Sequence, residues 1–285
     1  MTTEPGALAA IIVYFRTPAG LSACLDGLRR QTTRPAEIIV IDNSSATDGV
    51  DRRPASGADW KWVRADRNLG FGAACNLGAR LTHSDHQLML NADVVLHADA
   101  SRYLRSAVDN DPEVGVVGPR IYGADGAIEL SARSFPTVVT GLVGRSSLLT
   151  KVLAHMNRTP SSLSGALRSG GRVDWVSGAC MLIRRQAFDQ VGGFDEDYWM
   201  YWEDADLCRR LRERGWATVL CTDAEARHNT GSSGRSRSTI EAFHASAARY
   251  YERHVARTAG AAILARMLLR LRMRFMLRRH ARSGD

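Results

Sequence analysis

The sequence predicts an α/β fold whose first half alternates between strands and helices. Short runs made wholly of apolar residues, such as 10–15, are typical of strands that are covered on both faces. Segments of helical character lie between these runs, and the alternation predicts a parallel sheet. With 285 residues, of which 45% are hydrophobic and 24% charged, the chain can bury a core without a metal or disulfide staple.

The predicted elements follow one another closely in this first half. Pro18 opens a helix, because proline is tolerated in a first helical turn, and Leu21, Leu25 and Leu28 give this helix one apolar face. Strands are predicted at 10–15, 37–43, 60–63, 87–93 and 114–117, and further helices at 72–81 and 98–109.

The second half opens with a segment of different composition. Residues 131–172 are rich in Ser, Gly, Arg and Thr, and we expect a mobile insertion with one or two short helices at about 138–155, since loops of this length are usually functional. The remaining elements are predicted as an ordered run at 173–183, a helix at 203–214, a strand at 217–221, a flexible basic loop at 229–238 and a helical region at 239–280.

Positive charge is concentrated at the C-terminus. The net charge is +8, but residues 260–285 hold seven arginines and one acid, a balance of +6. The body, 1–259, carries only +2, which argues against a nucleic-acid-binding domain. The five dispersed cysteines form no C-x-x-C pair, and neither a signal-peptide pattern nor a run of about 18 apolar residues is present. We therefore expect reduced thiols and a cytoplasmic location.

Polar residues follow several of the predicted strands. Tyr14 ends the first strand, Asp42 the second, and Asn91 and Asp93 the fourth, whereas Asn68 follows the third. Ligands of an open α/β sheet bind beyond the carboxyl ends of the strands, so these residues predict a binding site at that edge. Asp93 suits a hard divalent cation that carries a diphosphate. Asp and Asn also start turns and cap helices, and this alternative stays open for each single position.

Acidic and aromatic residues are concentrated at 195–207. Burial behind aromatic side chains raises the pKa of a carboxyl toward that of a usable general base, so Glu203 and Asp204 are candidates. The same acids also suit the first turn of a helix, where the macrodipole favours negative charge. Composition alone leaves both interpretations open.

His228 precedes the basic loop. A neutral imidazole can complete a metal site with Asp93, and Arg235 and Arg237 are placed to contact phosphate oxygens. An isolated histidine is more often structural, and a solvated loop is the alternative for the two arginines.

Seven segments, in this order, resemble the motifs of inverting family 2 glycosyltransferases with the GT-A fold, a Rossmann-like mixed sheet flanked by helices. The most similar branch is that of the rhamnosyltransferases, which includes actinobacterial enzymes acting on polyprenyl-diphosphate-linked GlcNAc. The segments are Glu37–Ser44, Asn68–Gly72, Leu90–Asp93, Trp175–Arg184, Val191–Glu196, Met200–Leu207 and Arg227–His228. We accordingly expect a glycosyltransferase domain at 1–235, with the insertion 131–172 near the acceptor site, and a basic helical tail at 236–285.

The resemblance implies a role for each matching residue. Asp204 corresponds to the catalytic base, and Asp93 and His228 to positions that hold a divalent metal, Mg²⁺ or Mn²⁺. The nucleotide-sugar pocket is expected to include Tyr14, Asp42, Asn68, Asn76, Asn91 and Arg235. The pocket for donor sugar and acceptor is expected to include Trp175, Ser177, Gly178, Ala179 and Glu203. Two positions depart from the family pattern: Asn91 replaces the first Asp of the D-x-D motif, and Arg16–Thr17 follows the first strand where many members have Tyr-Asn.

The same resemblance implies the substrates. The favoured donor is dTDP-rhamnose, and the acceptor is a lipid-linked saccharide or a polysaccharide in cell-wall or surface-glycan synthesis. A UDP-sugar donor (galactofuranose, GlcNAc or another hexose) and an inactive nucleotide-sugar-binding or membrane-surface module remain alternatives. A Rossmann oxidoreductase is disfavoured, because no G-x-G-x-x-G follows the first strand.

The C-terminal tail has the pattern of a basic amphipathic helix. An arginine stripe and an apolar stripe lie side by side at helical spacing, formed by Arg266, Arg270, Arg274 and Arg278 and by Leu264, Leu268, Leu271 and Phe275. We expect this helix to bind an anionic membrane surface, which would make the protein peripheral at the inner face of the cell membrane. A helix packed on the domain with a solvated arginine face is the alternative.

Overall fold

The computed structural model describes residues 6–44, 60–136, 169–229 and 236–282. Its strands are β1 (Leu8–Tyr14), β2 (Glu37–Asp42), β3 (Lys61–Arg64), β4 (His86–Asn91), β5 (Val94–Leu96), β6 (Val114–Tyr122), β7 (Ala132–Arg133), β8 (Gly171–Val173), β9 (Trp175–Val176), β10 (Cys180–Arg184) and β11 (Ala217–His228). Its helices are α1 (Pro18–Arg29), α2 (Phe71–Ala79), α3 (Ala100–Asp109), α4 (Arg185–Gln190), α5 (Glu203–Glu213), α6 (Arg237–His254) and α7 (Ala259–Arg282). Both the short helices expected near 138–155 and Arg235 lie outside the described residues.

The main sheet is mixed, as the family resemblance implied, and the predicted strands of the first half run parallel to one another, as the strand–helix alternation predicted. Its order is β3-β2-β1-β4-β10-β6-β11-β5, with β8 beside β11. The strands β3, β2, β1 and β4 run parallel, whereas β10 lies antiparallel between β4 and β6. The antiparallel strand β10 enters the sheet from the second half of the chain, where no local pattern indicates its direction.

Two strands are longer than predicted. β6 extends beyond 114–117 and β11 extends beyond 217–221, and the pair continues through a register shift between Cys221 and Glu225. Beyond this shift β11 pairs antiparallel with β5 and ends at His228. The extension therefore carries His228 to the edge of the sheet.

The core lies on both faces of the sheet. Leu88 and Leu90 of β4 pack with α1 and α3 on one face, and Met89 packs with α2, α5 and α6 on the other. This alternation is the two-residue period of a strand, and a fully buried leucine stabilises the fold by roughly 1.5–3 kcal/mol. The sheet is thus fixed from both sides, which makes its carboxyl edge a rigid platform.

The helical region predicted at 239–280 is two helices. α6 ends at His254, and Thr258 precedes α7, where its hydroxyl oxygen accepts a hydrogen bond from Ala261 N at 3.2 Å. α6 contributes Ala247, Tyr250 and Tyr251 to the core. The first half of the predicted tail is therefore an integral part of the folded body.

Candidate active site

The carboxyl ends of three strands meet at one edge of the sheet. Tyr14 lies opposite Asp42 in the β1–β2 register, and Val13 lies opposite Asn91 in the β1–β4 register. Ala92 N donates to Val13 O at 3.2 Å, which holds the chain beyond β4 against β1. The structure therefore brings three of the predicted nucleotide-sugar residues to the same edge.

Asp42 is fully buried and its carboxylate is engaged within the protein. Oδ1 accepts a hydrogen bond from Ser44 N at 2.9 Å, and Oδ2 accepts one from Arg64 Nε at 3.3 Å. The ring of Tyr14 packs on that of Trp62, with centroids 5.5 Å apart. Because 34% of the Arg64 side chain is exposed, it is the member of the ion pair that a ligand can reach. Sequence analysis did not single out Arg64, which lies in an edge strand without a motif.

The loop that contains Asn68 is fixed by hydrogen bonds between asparagine side chains and the backbone. Asn68 Oδ1 accepts from Gly70 N at 2.9 Å, while the Asn43 side chain donates to Gly70 O and accepts from Leu69 N, both at 2.9 Å. Gly70 has a φ of +83°, and a Cβ at this position would lie 1.9 Å from Trp199 O. Only glycine allows the backbone to adopt this conformation so close to the segment at 199.

The amide of Asn76 holds a turn of the second half of the chain. Nδ2 donates to Phe194 O at 2.9 Å and to Glu196 Oε1 at 3.0 Å, and Oδ1 accepts from Phe194 N at 2.9 Å. The structure thus engages this side chain in folding contacts, and its place in the nucleotide-sugar pocket stays a prediction. Arg237 pairs at 2.9 Å with Glu241 on the exposed start of α6, and its contact with phosphate oxygens stays a prediction.

Asp93 and His228 lie together because of the β5–β11 ladder. The register places His228 opposite Val94, and Asn229 N donates to Asp93 O at 3.0 Å. Asp93 Oδ1 is 3.3 Å from His228 Nε2, and Glu129 Oε2 is 3.2 Å from His228 Nδ1. Sequence analysis missed Glu129, which no motif marks and which reaches the site through the turn after β6.

The carboxylates of Asp93 and Glu129 favour a positive charge on the His228 ring between them. Burial disfavours the imidazolium, but the hydrogen bonds and charges of Asp93 and Glu129 outweigh burial and raise the pKa of His228 above its usual value. A carboxylate oxygen and an imidazole nitrogen fit a divalent cation that also binds diphosphate oxygens and water. No group of three or more His, Cys, Asp or Glu side chains in the described ranges is arranged to hold a metal.

The segment after β9 connects the sheet edge to the start of α5. Asn91 N donates to Ala179 O at 3.0 Å, and the neighbouring Gly178 N donates to Asp204 Oδ2 at 3.0 Å. Ser177 N is held by Ser131 O at 2.8 Å. The structure therefore joins the predicted donor edge, the predicted sugar-pocket segment and the candidate base. Trp175, in β9 just before this segment, is buried, and its indole N–H donates to Ser134 O.

Glu203 and Asp204 open α5 with different surroundings. Asp204 is partly buried, and Asp204 Oδ1 accepts from Ala205 N at 2.8 Å. Glu203 is buried, and burial, followed by the negative charge of Asp204, raises the pKa of Glu203 to about 8. Burial thus favours the protonated form of Glu203, which makes Asp204 the better candidate proton acceptor of the pair. The acids at the start of α5 also suit the helix macrodipole, so the two interpretations of this segment are compatible.

Comparison with known proteins decides the family. Residues 9–192 match the model described as Glycosyl transferase family 2. The chain belongs to glycosyltransferase family 2. A second model, described as the N-terminal domain of galactosyltransferase, matches residues 170–232. The prediction of a glycosyltransferase is thereby confirmed.

Two relatives of this family 2 member are named rhamnosyltransferases. The N-acetylglucosaminyl-diphospho-decaprenol L-rhamnosyltransferase of Mycobacterium tuberculosis is 33% identical over 255 residues, which cover 83% of this chain and 81% of that protein. Rhamnosyltransferase WbbL of Escherichia coli K12 is 29% identical over 154 residues, which cover 51% and 55% of the two chains.

A solved structure supports the fold assignment. The crystal structure of GalNAc-T7 with UDP, GalNAc and Mn²⁺ superposes with a TM-score of 0.64 at 16% sequence identity. The match covers 88% of this chain but only 48% of the GalNAc-T7 chain. The likeness confirms the GT-A fold of the family 2 domain.

Proposed function

We propose that this family 2 glycosyltransferase transfers L-rhamnose from dTDP-rhamnose to a hydroxyl group of a lipid-linked acceptor. The observation that carries the proposal is the connection of Asn91 through Ala179 and Gly178 to Asp204, which joins the strand edge beside Asp93 to a candidate base. The names of the mycobacterial and Escherichia coli rhamnosyltransferases support the choice of rhamnose, and the name of the mycobacterial protein supports a polyprenyl-diphosphate-linked acceptor.

The proposed reaction is a single displacement. Asp204 accepts the proton of the acceptor hydroxyl as that oxygen attacks the anomeric carbon from the face opposite the diphosphate. The new carbon–oxygen bond forms while the bond to the diphosphate oxygen breaks, and the nucleoside diphosphate leaves with the electron pair. One displacement inverts the anomeric centre, so no protein nucleophile is needed.

The charge on the leaving diphosphate is the second requirement of the reaction. Asp93 and His228 would hold Mg²⁺ or Mn²⁺, which offsets the charge that develops on the diphosphate. Glu129, hydrogen-bonded to the other nitrogen of His228, fixes the orientation of the imidazole ring. Arg64, paired with Asp42, supplies a further cation at the donor edge.

A thermal-shift panel tests the donor assignment. The full-length protein is heated with dTDP, UDP, GDP and their sugar conjugates, each with Mn²⁺, with Mg²⁺ and with a chelator. The proposal predicts that dTDP and dTDP-rhamnose raise the melting temperature most, and only with a divalent cation present. A UDP-selective shift would redirect the assignment to a UDP-sugar, and a shift by dTDP-rhamnose without any transfer would favour an inactive binding module.

The second proposal concerns the outward side of α7. None of the helices in the described part of the chain combines the length and apolar character needed to cross a bilayer. Ala265 and Leu269 of α7 are buried, so this helix packs on the body through one side. The opposite side, named here the outer face, carries exposed apolar residues: Ile263, Leu264, Met267, Leu268, Leu271 and Phe275. The exposed arginines 266, 270, 274 and 278 border this outer face.

The outer face suits an anionic membrane surface. The alternative given for the tail is a helix packed on the domain with a solvated arginine face. α7 does pack on α6, but its outer face is apolar as well as basic. Apolar side chains bordered by arginines enter the lipid interface while the guanidinium groups contact anionic headgroups. A lipid-linked acceptor would lie in the same plane.

Vesicle pelleting tests the membrane proposal. We expect the full-length protein to pellet with vesicles containing anionic lipid and the double variant Leu264→Asn/Leu271→Asn to stay in the supernatant. Leu81→Asn, which changes an exposed leucine away from α7, is the matched control and should pellet normally. Equal pelleting of the double variant and the control would contradict the proposal.

A further inference from the structure

The backbone immediately before Asp204 has an unusual conformation. Tyr201 and Trp202 are consecutive left-handed residues, with φ of 67° and 71°. Residues with side chains rarely adopt this conformation, and it persists only where surrounding contacts enforce it. The turn decides where α5 begins, because Asp206 N donates to Trp202 O at 2.9 Å in the first helical hydrogen bond. The position of Asp204 therefore depends on this turn.

Aromatic side chains of α6 pack directly on the turn. The ring of Trp202 lies 5.7 Å from that of Phe243 and 5.2 Å from that of Tyr250. The ring of Tyr201 also lies 5.7 Å from Phe243, in an edge-to-face arrangement. Phe243 thus contacts both left-handed residues, and aromatic pairs of this geometry favour one relative orientation.

Polar contacts from α6 hold both ends of the same segment. At one end Ser246 Oγ donates to Met200 O at 2.8 Å. At the other end His254 Nε2, from α6, lies 2.7 Å from Asp206 Oδ1. Arg210 Nε, from α5 itself, donates to Asp206 Oδ2 at 2.7 Å. Asp206 is fully buried, so these partners fix the first turn of α5. With its ends held, the turn between them is shaped by the aromatic contacts.

We propose that Phe243 is a positioning residue for the catalytic base Asp204, acting through Tyr201 and Trp202. The inference rests on the proposed function of Asp204 as that base. Without the Phe243 ring the turn relaxes toward ordinary backbone angles, and the carboxylate shifts away from Gly178. Proton transfer needs the base within hydrogen-bond reach of the acceptor hydroxyl, so a shift of about 1 Å suffices to slow it.

Kinetics of Phe243→Leu test the proposal. The side chain is half-buried, so we expect the variant to fold, and Phe243→Met serves if its melting curve shows otherwise. The expected result is a fall in kcat of roughly 10- to 100-fold with the Kd for dTDP unchanged. Phe243→Tyr, which keeps the ring, should restore kcat. Trp216→Leu removes a half-buried aromatic ring elsewhere and controls for general loss of packing. A kcat for Phe243→Leu equal to that of this control would overturn the proposal.

A double variant separates positioning from an unrelated effect on rate. Once Asp204→Asn has removed the base, its position no longer matters, so adding Phe243→Leu should change the residual rate by less than about twofold. A full multiplicative loss in the double variant would overturn the positioning role. Wild-type turnover of Asp204→Asn alone would overturn the proposed function, whereas an inactive Asp204→Asn beside a fully active Phe243→Leu would overturn only this inference.

Discussion

Replacement of Asp204 by asparagine tests whether a carboxylate at this position drives the reaction. The shape of the side chain is nearly preserved, but the group that accepts the proton is lost. Both carboxylate oxygens accept backbone hydrogen bonds, from Gly178 N at 3.0 Å and from Ala205 N at 2.8 Å. Asparagine has a single acceptor oxygen, so its amino group must face one of these N–H groups and one hydrogen bond is lost.

The two consequences differ in size and are measured separately. Loss of the base should lower kcat roughly 10²- to 10⁴-fold, which corresponds to about 2.7–5.4 kcal/mol of transition-state stabilisation. Loss of one hydrogen bond should lower the free energy of unfolding of the Asp204→Asn variant by only about 1 kcal/mol. The assay follows transfer from dTDP-rhamnose to a lipid-linked acceptor, with the Kd for dTDP measured alongside and expected to stay unchanged. Asp223→Asn, an exposed acid in β11, is the matched control. Wild-type-like turnover of Asp204→Asn would refute the reasoning.

Three further predictions concern other groups of the molecule. Burial raises the pKa of Glu203 to about 8 in the folded protein, whereas the unfolded chain has the ordinary value of 4.5. The folded state therefore holds this proton more tightly, and the free energy of unfolding falls as pH rises from about 4.5 to 8. Glu203→Gln should remove this decrease. If urea unfolding gave the same pH dependence of the free energy of unfolding for the variant and the wild type, the prediction would be contradicted. Asp93→Ala should abolish the part of dTDP binding that depends on Mn²⁺; calorimetry with and without the metal checks this, and an unchanged metal dependence would count against the site. Gly70→Ala should lower the free energy of unfolding by about 2–4 kcal/mol, since it combines a positive φ with a backbone clash. Gly126 has a φ of +78° and no atom within 4 Å of a Cβ built there, so Gly126→Ala should lower the free energy of unfolding by only about 1–2 kcal/mol. Equal losses for Gly70→Ala and Gly126→Ala in urea unfolding would argue against the clash at Gly70.

The donor edge was predictable because its signals are local. Tyr14, Asp42 and Asn91 each end an apolar run, and the parallel register of β1, β2 and β4 brings the ends of such runs together. Asp93 and His228 were predicted as a pair, and the structure brings them to 3.3 Å. The fold class followed from the same apolar runs and from the family resemblance.

Other parts of the site depend on contacts that are distant in sequence. Glu129 reaches His228 only because the turn after β6 folds back across the sheet edge, and Arg64 meets Asp42 only through the pairing of two strands. The direction of β10 likewise follows from its neighbours β4 and β6 and from no residue pattern of its own.

The sequence predicts a basic helical tail at 236–285 and leaves open whether it packs on the domain. α6, the first helix of this region, packs Tyr250 and Tyr251 into the core and contacts Trp202 beside the candidate base. A helical pattern with apolar residues on one face indicates that the face is buried but does not indicate what it is buried against. α6 therefore packs into the core, and α7 packs through one side while its outer face is exposed.

The anomeric configuration of the reaction product tests the central claim most directly. The full-length protein is incubated with Mn²⁺, dTDP-rhamnose and a polyprenyl-diphosphate-linked GlcNAc, and the isolated product is examined by NMR. We expect one rhamnose on the acceptor, attached with an anomeric configuration opposite to that of the donor and absent from the product of Asp204→Asn. Retention of the donor's configuration, or release of free rhamnose with no glycosidic product, would contradict the account.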